Sequence, residues 1–323
     1  MVKIAIVGGG WVGCNLALKL KDKFSITLYE KNEELMTETS TKNQNRLHLG
    51  YHYARSGSTR KLCKETFFKF IEEYGFLTKE IQKNLYCVSK DSVLDFETFN
   101  KIFDDYDTHR QFDSDIENVE GSILTKERYI DFNESKNFFN YELKNVSHFK
   151  KIDSISNIKN NYDLVINSTN NYLNRIDSSS FYELTLTLLY RKKKNTSFDS
   201  LTIIDGNFFS IFPYMKDIYT LTDVEHTPIE KFFNIKELEN YSLSEEIIKS
   251  KINFMQSKVN KYYKDFLNDF EYENYFLATK TKHQTSSANR YPIIHKSDNV
   301  INCYTGKIQG IYPIEKYIKD LLC

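Results

Sequence analysis

The sequence predicts an α/β protein with two lobes: a Rossmann-like nucleotide-binding lobe and an inserted antiparallel β-sheet. Three observations support this prediction. The chain opens with the strand, glycine turn, helix and second strand of a βαβ unit within residues 3–30. Residues 181–226 then alternate apolar stretches with turn residues, as antiparallel strands do. Pieces typical of a nucleotide lobe return at 163–169 and 299–322, so the inserted sheet separates them along the chain.

The opening βαβ unit predicts a dinucleotide site. Gly8 allows the tight turn after the strand, Gly10 lets a pyrophosphate approach the backbone, and Gly13 lets the helix pack closely. The helix begins near Trp11 and Val12, and its free N–H groups and positive dipole end would face the phosphates. Glu30 ends the second strand, where it would accept hydrogen bonds from a ribose diol.

Composition excludes several classes of protein. The formal net charge of this 323-residue chain is zero, which argues against a nucleic-acid partner. No apolar run approaches the roughly 20 residues that span a bilayer, and the chain starts with the first predicted strand instead of a signal peptide. The five cysteines are scattered without CxxC pairs, which predicts a cytoplasmic protein with no metal site. The basic run 191–194 favours a solvated hairpin turn but leaves peripheral membrane contact open.

Periodicity predicts the remaining elements. Helices are expected at 61–74, capped by Ser58 or Thr59, and at 93–103, 132–143, 243–270 and 314–322. Strands are expected at 85–88, 145–155, 162–167, 181–190, 201–204, 208–213, 218–226, 275–280 and 299–304.

The opening motif alone does not choose between a nicotinamide and a flavin cofactor, but two later features favour a flavin. The apolar strand at 163–169 ends in small polar residues as it returns to the sheet. The loop from Gly306 to Gly310 precedes a second helix, whose N-terminus could stabilise negative charge on a reduced flavin ring.

On these residues the chain resembles the D-amino-acid oxidase-like family of FAD-dependent oxidoreductases. Residues 43–53 (NQNRLHLGYHY) and 58–63 (STRKLC) are similar to its L-2-hydroxyglutarate oxidase/dehydrogenase branch. The match covers residues 1 to about 75, continues at 163–169, and is weak at 290–292 and 306–310. The resemblance implies an FAD-binding domain of the glutathione-reductase type at 1–80, 144–175 and 286–323. The substrate-binding domain would then comprise 81–143 and 176–285.

The resemblance also implies which residues hold FAD. They are Gly8, Gly10, Trp11, Val12, Gly13, Glu30, Lys31, Asn43, Thr169, Gly306, Lys307 and Gly310. Three departures from the family put the substrate in doubt. Asn170 stands where the family has glycine, Lys307-Ile-Gln separates the glycines of the last loop, and the insert does not match the hydroxyglutarate enzymes.

Residues 46–53 would run beside the flavin and supply the catalytic groups His48, His52 and Arg46. Either imidazole could take the proton of a hydroxyl or amine while hydride leaves carbon for flavin N5. In an extended segment, Arg46, His48 and His52 would share one face and the tyrosines the other. Two alternatives stay open: one histidine only hydrogen-bonds the cofactor or backbone, or His48 is bonded covalently to FAD.

Three residues are candidates for binding the substrate. Arg290 offers a bidentate fork for a carboxylate, with Arg46 as its competitor and a surface salt bridge as the alternative. Tyr53 and Tyr214 could line the cavity, although a packed tyrosine is the simpler interpretation of Tyr214.

The predicted function is FAD-dependent oxidation of a CH–OH or CH–NH group of a small polar substrate by hydride transfer to flavin N5. The substrate would be a hydroxy acid, an amino acid or a sugar derivative, and the electron acceptor oxygen, a quinone or another carrier. The alternatives are an NAD(P)-dependent dehydrogenase, a non-redox flavoprotein such as a sugar mutase, and a binding protein that keeps the nucleotide as a structural element.

Overall fold

The computed structural model describes residues 1–173, 176, 179–206, 208–284 and 291–322. Arg290 therefore lies outside the described residues. The strands are β1 (Lys3–Val7), β2 (Ser25–Glu30), β3 (Arg46–Leu47), β4 (Thr78–Glu80), β5 (Asn84–Ser89), β6 (His109–Gln111), β7 (Val119–Thr125), β8 (Arg128–Ile130), β9 (Ser147–Phe149), β10 (Leu164–Asn167), β11 (Ser180–Lys192), β12 (Ser200–Ile204), β13 (Phe209–Met215), β14 (Ile218–Asp223), β15 (Pro228–Phe232), β16 (Phe270–His283), β17 (Ile293–Ser297) and β18 (Val300–Tyr304). The helices are α1 (Trp11–Leu20), α2 (Gly57–Tyr74), α3 (Phe96–Ile102), α4 (Phe132–Glu142), α5 (Ile235–Glu239), α6 (Glu245–Asn260), α7 (Phe266–Asp269) and α8 (Ile311–Leu322).

The first sheet has the strand order β17-β18-β10-β1-β2-β9, and every neighbouring pair except β17–β18 is parallel. Its central strands are continuous apolar runs, as expected of parallel strands covered on both faces. The chain passes from β1 to its neighbour β2 on one side, whereas the neighbour of β1 on the other side is β10, which comes much later in the chain. The carboxyl ends of these strands therefore form a topological switch point, where α/β sheets bind their ligands.

Helices α1 and α8 contact each other, and α2 lies beside them. Their shared polar contact is buried: Asn15 donates to Glu315 Oε2 at 3.0 Å and accepts from the Tyr74 hydroxyl at 2.6 Å. Trp11 contacts the rings of Phe70, Tyr74 and Phe139, so the start of α1 rests on a rigid aromatic cluster.

The second sheet runs β15-β11-β14-β13-β12-β5-β7-β6, with β16 paired along β11. It is mixed, because β12 and β5 pair in parallel, with Leu201 opposite Leu85. The expectation of a purely antiparallel insert was therefore wrong at this pair. These two strands lie more than 100 residues apart in the chain, so no local turn dictates their direction.

A small third sheet has the strand order β3-β8-β4. It joins two strands that follow β2 in the chain, β3 and β4, to β8, which follows β7. In it Leu47 pairs with Arg128, and Thr78 pairs with Ile130. This pairing carries the segment 46–53 against residues 127–130.

Among the predicted elements, these three show how the observed structure departs from the sequence patterns. Helix α2 begins after Ser56, so Ser58 and Thr59 lie within its first turn instead of capping it. The strand expected at 145–155 is reduced to Ser147–Phe149, which pairs only with β2. The helix expected over 243–270 ends at Asn260, where the N–H groups of Tyr262 and Tyr263 both bond the carbonyl of Val259. The apolar spacing of the sequence continues beyond the end of this helix because residues 262–270 enter the core of the second sheet through α7 and β16.

No helix within the described ranges is long and apolar enough to cross a membrane.

Candidate active site

The glycine turn at the end of β1 is packed too tightly for side chains. A Cβ on Gly13 would lie 1.9 Å from the carbonyl oxygen of Gly8, and one on Gly10 would lie 2.7 Å from Ser40 Oγ. Gly8 itself has a φ of +107°, which favours glycine. Among the described residues, no acceptor contacts the N–H groups of Val12 and Gly13, so the start of α1 presents unpaired donors. This arrangement suits an anionic phosphate.

Glu30 is buried beside this turn at the end of β2. Its Oε2 accepts the N–H of Gly9 at 2.8 Å, and its Oε1 accepts the N–H of Asn32 at 2.9 Å. A carboxylate oxygen accepts more than one hydrogen bond, so both oxygens keep acceptor capacity for a ligand hydroxyl.

The other predicted cofactor residues make local contacts. Lys31 pairs with Glu38 at 3.4 Å. Asn43 donates to the carbonyl of Thr39 and accepts the N–H of Asn45, and thereby closes the turn before β3. Thr169 bonds Asn167 at the carboxyl end of β10. Gly306 is exposed, and Gly310 is packed so closely that a Cβ would lie 1.8 Å from Thr305 Oγ1.

Residues 46–53 are not one extended segment, the conformation in which Arg46, His48 and His52 would share one face. Strand β3 ends at Leu47, Gly50 adopts a φ of +111°, and residues 51–53 form a 3₁₀ turn. The turn still brings the histidines together, with ring centroids of His48 and His52 4.9 Å apart. The two tyrosines separate: Tyr53 lies 5.6 Å from the His48 ring, whereas the hydroxyl of Tyr51 bonds Thr108 on the other side.

Arg46 is buried, and both of its terminal nitrogens bond protein groups, whereas its Nε has no hydrogen-bond partner among the described residues. Its Nη1 contacts the Tyr86 hydroxyl at 2.6 Å and Glu127 at 3.3 Å. Its Nη2 donates to Thr202 and Ser210, and the guanidinium stacks on the ring of Phe212. This corrects the expectation that Arg46 competes for a substrate carboxylate, because Glu127 already neutralises it.

Glu127 is the centre of the cluster, and sequence reasoning missed it. Only 1% of this residue is exposed. Its Oε1 accepts the N–H of Leu49 at 2.7 Å, and its Oε2 accepts the Tyr86 hydroxyl at 2.5 Å. His48 Nδ1 lies 3.7 Å from Oε1. Glu127 stands between the charged residues Lys126 and Arg128, a pattern typical of solvent-exposed segments, so no sequence signal distinguishes this carboxylate.

The C-terminal loop holds His48 from the opposite side. The ammonium of Lys307 lies 3.0 Å from His48 Nε2 and 4.9 Å from the centroid of the Tyr53 ring. The side chain of Gln309, a second residue that sequence reasoning missed, donates to the carbonyl of His48 at 2.6 Å. An ammonium group only donates, so His48 Nε2 is the acceptor and its proton is on Nδ1, facing Glu127.

Both histidines are neutral near pH 7. Burial lowers the pKa of His48 well below its usual value, and the charges of Lys307 and Arg46 lower it further. Burial likewise lowers the pKa of His52, with Arg46 as the next cause. A neutral imidazole keeps one lone pair and is therefore a proton acceptor.

The cluster brings together ligand atoms of His48, His52 and Glu127 within 4.8 Å of one another, a convergence that the sequence did not indicate. Two positive side chains oppose a metal ion there. Lys307 occupies the lone pair of His48, and Arg46 lies 3.3 Å from the carboxylate. A second such group consists of Asp223, Glu225 and His226. It forms a turn in which Asp223 Oδ1 accepts the N–H groups of Glu225 and His226, while Asp223 Oδ2 pairs with Lys258.

Tyr214 is a packed residue in the second sheet. It is 7% exposed, stacks on Phe132 with centroids 4.7 Å apart, and donates its hydroxyl to the carbonyl of Thr41 at 3.3 Å. Tyr53, by contrast, is half-buried beside His48. Of the two predicted substrate residues that the structure describes, Tyr53 lies beside the histidines and Tyr214 does not, whereas Arg290 lies outside the described residues.

Comparison with known proteins identifies the family. The profile of the family "FAD dependent oxidoreductase" (DAO) matches residues 3–112. An FAD-dependent monooxygenase from Fusarium mangiferae is 30% identical over 336 residues, which cover 99% of this chain and 90% of that protein. A mitochondrial L-2-hydroxyglutarate dehydrogenase from Caenorhabditis briggsae is 32% identical over 96 residues, which cover 28% of this chain and 22% of that protein.

Solved structures share the fold. Glycine oxidase from Geobacillus kaustophilus superposes with a TM-score of 0.71 at 12% identity and covers 99% of this chain and 95% of its own. The α/β prediction and the resemblance drawn from residues 1–75 are confirmed. The glycine turn, the buried acid and the unpaired donors of α1 fit the diphosphate and ribose of a dinucleotide. The chain is a member of the D-amino-acid oxidase-like family of FAD-dependent oxidoreductases, and FAD is its cofactor.

Proposed function

We propose that this enzyme oxidises a CH–OH or CH–NH group of a small polar substrate by hydride transfer to flavin N5. The observation that supports this most directly is a pair of neutral histidines, His48 and His52, close to the buried carboxylate of Glu127. Removing hydride from an alcohol or amine requires a group that takes the proton on oxygen or nitrogen, and a neutral imidazole does this near pH 7.

FAD would lie along the switch point of the first sheet, in a domain of the glutathione-reductase type. Gly8, Gly10, Gly13 and Glu30 would hold the ADP part, aided by Trp11 and Val12 at the start of α1. Lys31, Asn43 and Thr169 would lie along its length, and Gly306, Lys307 and Gly310 would contact the flavin end. We assign residues 1–80, 144–175 and 286–323 to this domain. The substrate domain would be 81–143 and 176–285.

The bound flavin supplies a two-electron acceptor. The chain's own residues would do the rest. A histidine takes the proton of the substrate, and Lys307 fixes the tautomer of His48 through its 3.0 Å contact. Arg46 forms a buried ion pair with Glu127 beside them. Tyr53 would contact the substrate, because it is half-buried next to both imidazoles.

A second candidate function follows from the Fusarium relative, which is named a monooxygenase and matches this chain over nearly its whole length. A monooxygenase reduces oxygen with electrons from an external reductant and inserts one oxygen atom into the substrate. The two functions differ in where the electrons come from, which an experiment without oxygen separates.

The decisive experiment mixes the purified flavoprotein anaerobically with hydroxy acids, amino acids and sugar derivatives, and follows flavin absorbance. Bleaching by one of these compounds, with a carbonyl or imine product, is the expected result. If only NAD(P)H bleaches the flavin, and oxygen then yields a hydroxylated product, the monooxygenase replaces our proposal. Re-oxidation of the bleached enzyme with oxygen and with a soluble quinone then identifies the electron acceptor.

A further inference from the structure

We infer that His52, not His48, accepts the substrate proton, and that Tyr86 and Glu127 are positioning residues that hold it in the required tautomer. The inference rests on the proposed function, since it assumes that a hydroxyl or amine is oxidised beside FAD. None of the sequence patterns singled out Tyr86 or Glu127.

The hydrogen bonds of Tyr86 determine which nitrogen of His52 carries the proton. Arg46 Nη1 donates to Glu127 Oε2 and the N–H of Leu49 donates to Oε1, so both oxygens of this carboxyl group act as acceptors. The hydroxyl hydrogen of Tyr86 is therefore used at Glu127 Oε2, 2.5 Å away. The Tyr86 oxygen must then accept from His52 Nδ1, 2.6 Å away, which places the His52 proton on Nδ1.

The opposite nitrogen of His52 is consequently an available base. Within the described part of the chain, His52 Nε2 has no hydrogen-bond partner, and the residue as a whole is half-buried. It borders Phe208, whose centroid is 5.5 Å away, and the ring of His48. A substrate hydroxyl or amine brought against this edge of the ring would meet the lone pair of Nε2.

His48 cannot serve in the same way. Its Nε2 lone pair already accepts from Lys307, and its Nδ1–H faces Glu127. Taking another proton would place an imidazolium against an ammonium at 3.0 Å, with Arg46 also nearby.

The proposed step balances as follows. The O–H or N–H bond of the substrate breaks, and its proton forms a bond to His52 Nε2. The electron pair left behind becomes the new π bond to carbon, while the hydrogen on that carbon leaves with its two electrons to the oxidant, FAD. His52 becomes a cation and keeps its Nδ1–H on Tyr86, so the negative charge of Glu127 stabilises it through the tyrosine.

A first test reads the tautomer directly, without turnover. Histidine labelled with ¹⁵N is introduced into the oxidised holoenzyme, and His52 is assigned with the variant His52→Asn. We expect the Nδ1–H form of His52 in the wild type and a shift towards Nε2–H in Tyr86→Phe. Tyr190→Phe is the matched control, because it removes another buried tyrosine hydroxyl with one partner, Gln256. A wild-type His52 protonated on Nε2 overturns the inference.

A second test follows anaerobic flavin reduction by a substrate that bleaches the wild type. Tyr86→Phe should slow reduction by about 10²-fold or more at saturating substrate, with substrate affinity changed by less than about twofold. Glu127→Gln should move the acid limb of the pH profile to lower pH, since Glu127 raises the pKa of His52 whereas Arg46, His48 and Lys307 lower it. Tyr86 itself stays protonated, because burial raises its pKa well above the usual value. The half-buried Tyr53 is a further titratable group that faces the His52 ring, with ring centroids 6.1 Å apart.

The outcomes separate the two proposals. If the substrate bleaches the wild type but Tyr86→Phe reacts as fast as Tyr190→Phe, the positioning role falls while the proposed function stands. If no compound of the panel bleaches the wild-type flavin, the proposed function falls, and the base role of His52 falls with it. Tyr86→Phe tests the hydrogen bonds that join His52, Tyr86 and Glu127 even if the Glu127→Gln variant does not fold.

Discussion

His48 Nε2 lies 3.0 Å from the ammonium of Lys307, although 259 residues separate the two in the chain. The same C-terminal loop holds the backbone of His48 through Gln309 at 2.6 Å. Two side-chain contacts therefore join the loop before α8 to the turn after β3. An ion beside an imidazole controls both its tautomer and its charge, which makes this contact directly testable.

Replacing Lys307 with methionine should raise the pKa of His48. The ammonium disfavours the imidazolium through repulsion, and burial opposes it independently, so the pKa should rise without reaching the value of a solvated histidine. An NMR titration of ¹⁵N-labelled histidine measures the change. Lys101→Met, which removes an exposed lysine on α3, is the control. An unchanged His48 pKa would show that the contact does not persist in solution.

The free energy of unfolding should fall as the pH is lowered through about 6.5, the pKa of an unperturbed histidine. His48 and His52 have lowered pKa values when folded, so below this pH the unfolded chain binds more protons than the native one. The slope is then positive in pH, at most about 1.4 kcal/mol per pH unit for each histidine, and the stability is lost as the pH falls towards the folded pKa values. Denaturant titrations from pH 7.5 to about 5 measure it, and the double variant His48→Asn/His52→Asn should give a flatter profile.

Gly13→Ala should abolish or strongly weaken FAD binding. Its Cβ would meet the carbonyl oxygen of Gly8 at 1.9 Å, and backbone must move to relieve the clash. The purified variant should be colourless, and titration with FAD should show the loss. Gly57→Ala, at the start of α2, is the matched control because its Cβ finds only Arg60 Nη2 at 3.8 Å. Equal flavin content in both variants would contradict the tight turn.

FAD should be released by acid precipitation. Both nitrogens of His48 face protein groups, Lys307 and Glu127, which leaves neither directed to a covalent bond with the flavin. The absorbance spectrum of the supernatant gives the result. A yellow pellet with a colourless supernatant would establish covalent attachment.

Tyr214 should matter for stability more than for substrate binding. Tyr214→Ala removes a ring stacked on Phe132 and should lower the free energy of unfolding by about 3–5 kcal/mol. Tyr214→Phe loses one hydrogen bond of 3.3 Å, at a cost of about 1 kcal/mol, and should keep the KM of the wild type. A raised KM in Tyr214→Phe would instead place the hydroxyl at the substrate.

The accuracy of the sequence interpretation followed the distance between interacting residues. Gly8, Gly13 and Glu30 meet within one βαβ unit, so their spacing alone indicated how the backbone would fold. In the second sheet, β5 and β11 to β14 were located closely, β16 was located only in part, and β6, β7 and β15 were missed. The parallel pairing of β12 with β5 was not predicted either, because residues far apart in the chain meet there. The end of α6 was also missed, since the apolar residues after it keep a helical spacing while packing in a different element.

The sequence by itself determined the fold class, the nucleotide turn and the histidine pair, because these depend on local backbone preferences and on residue types a few positions apart. Only the tertiary structure decided what the histidines face. Glu127 lies in a charged stretch that resembles a surface turn, and it becomes buried because β8 pairs with β3. Burial then makes one carboxylate organise Arg46, Tyr86 and Leu49, since a charge removed from water must find its partners within the protein.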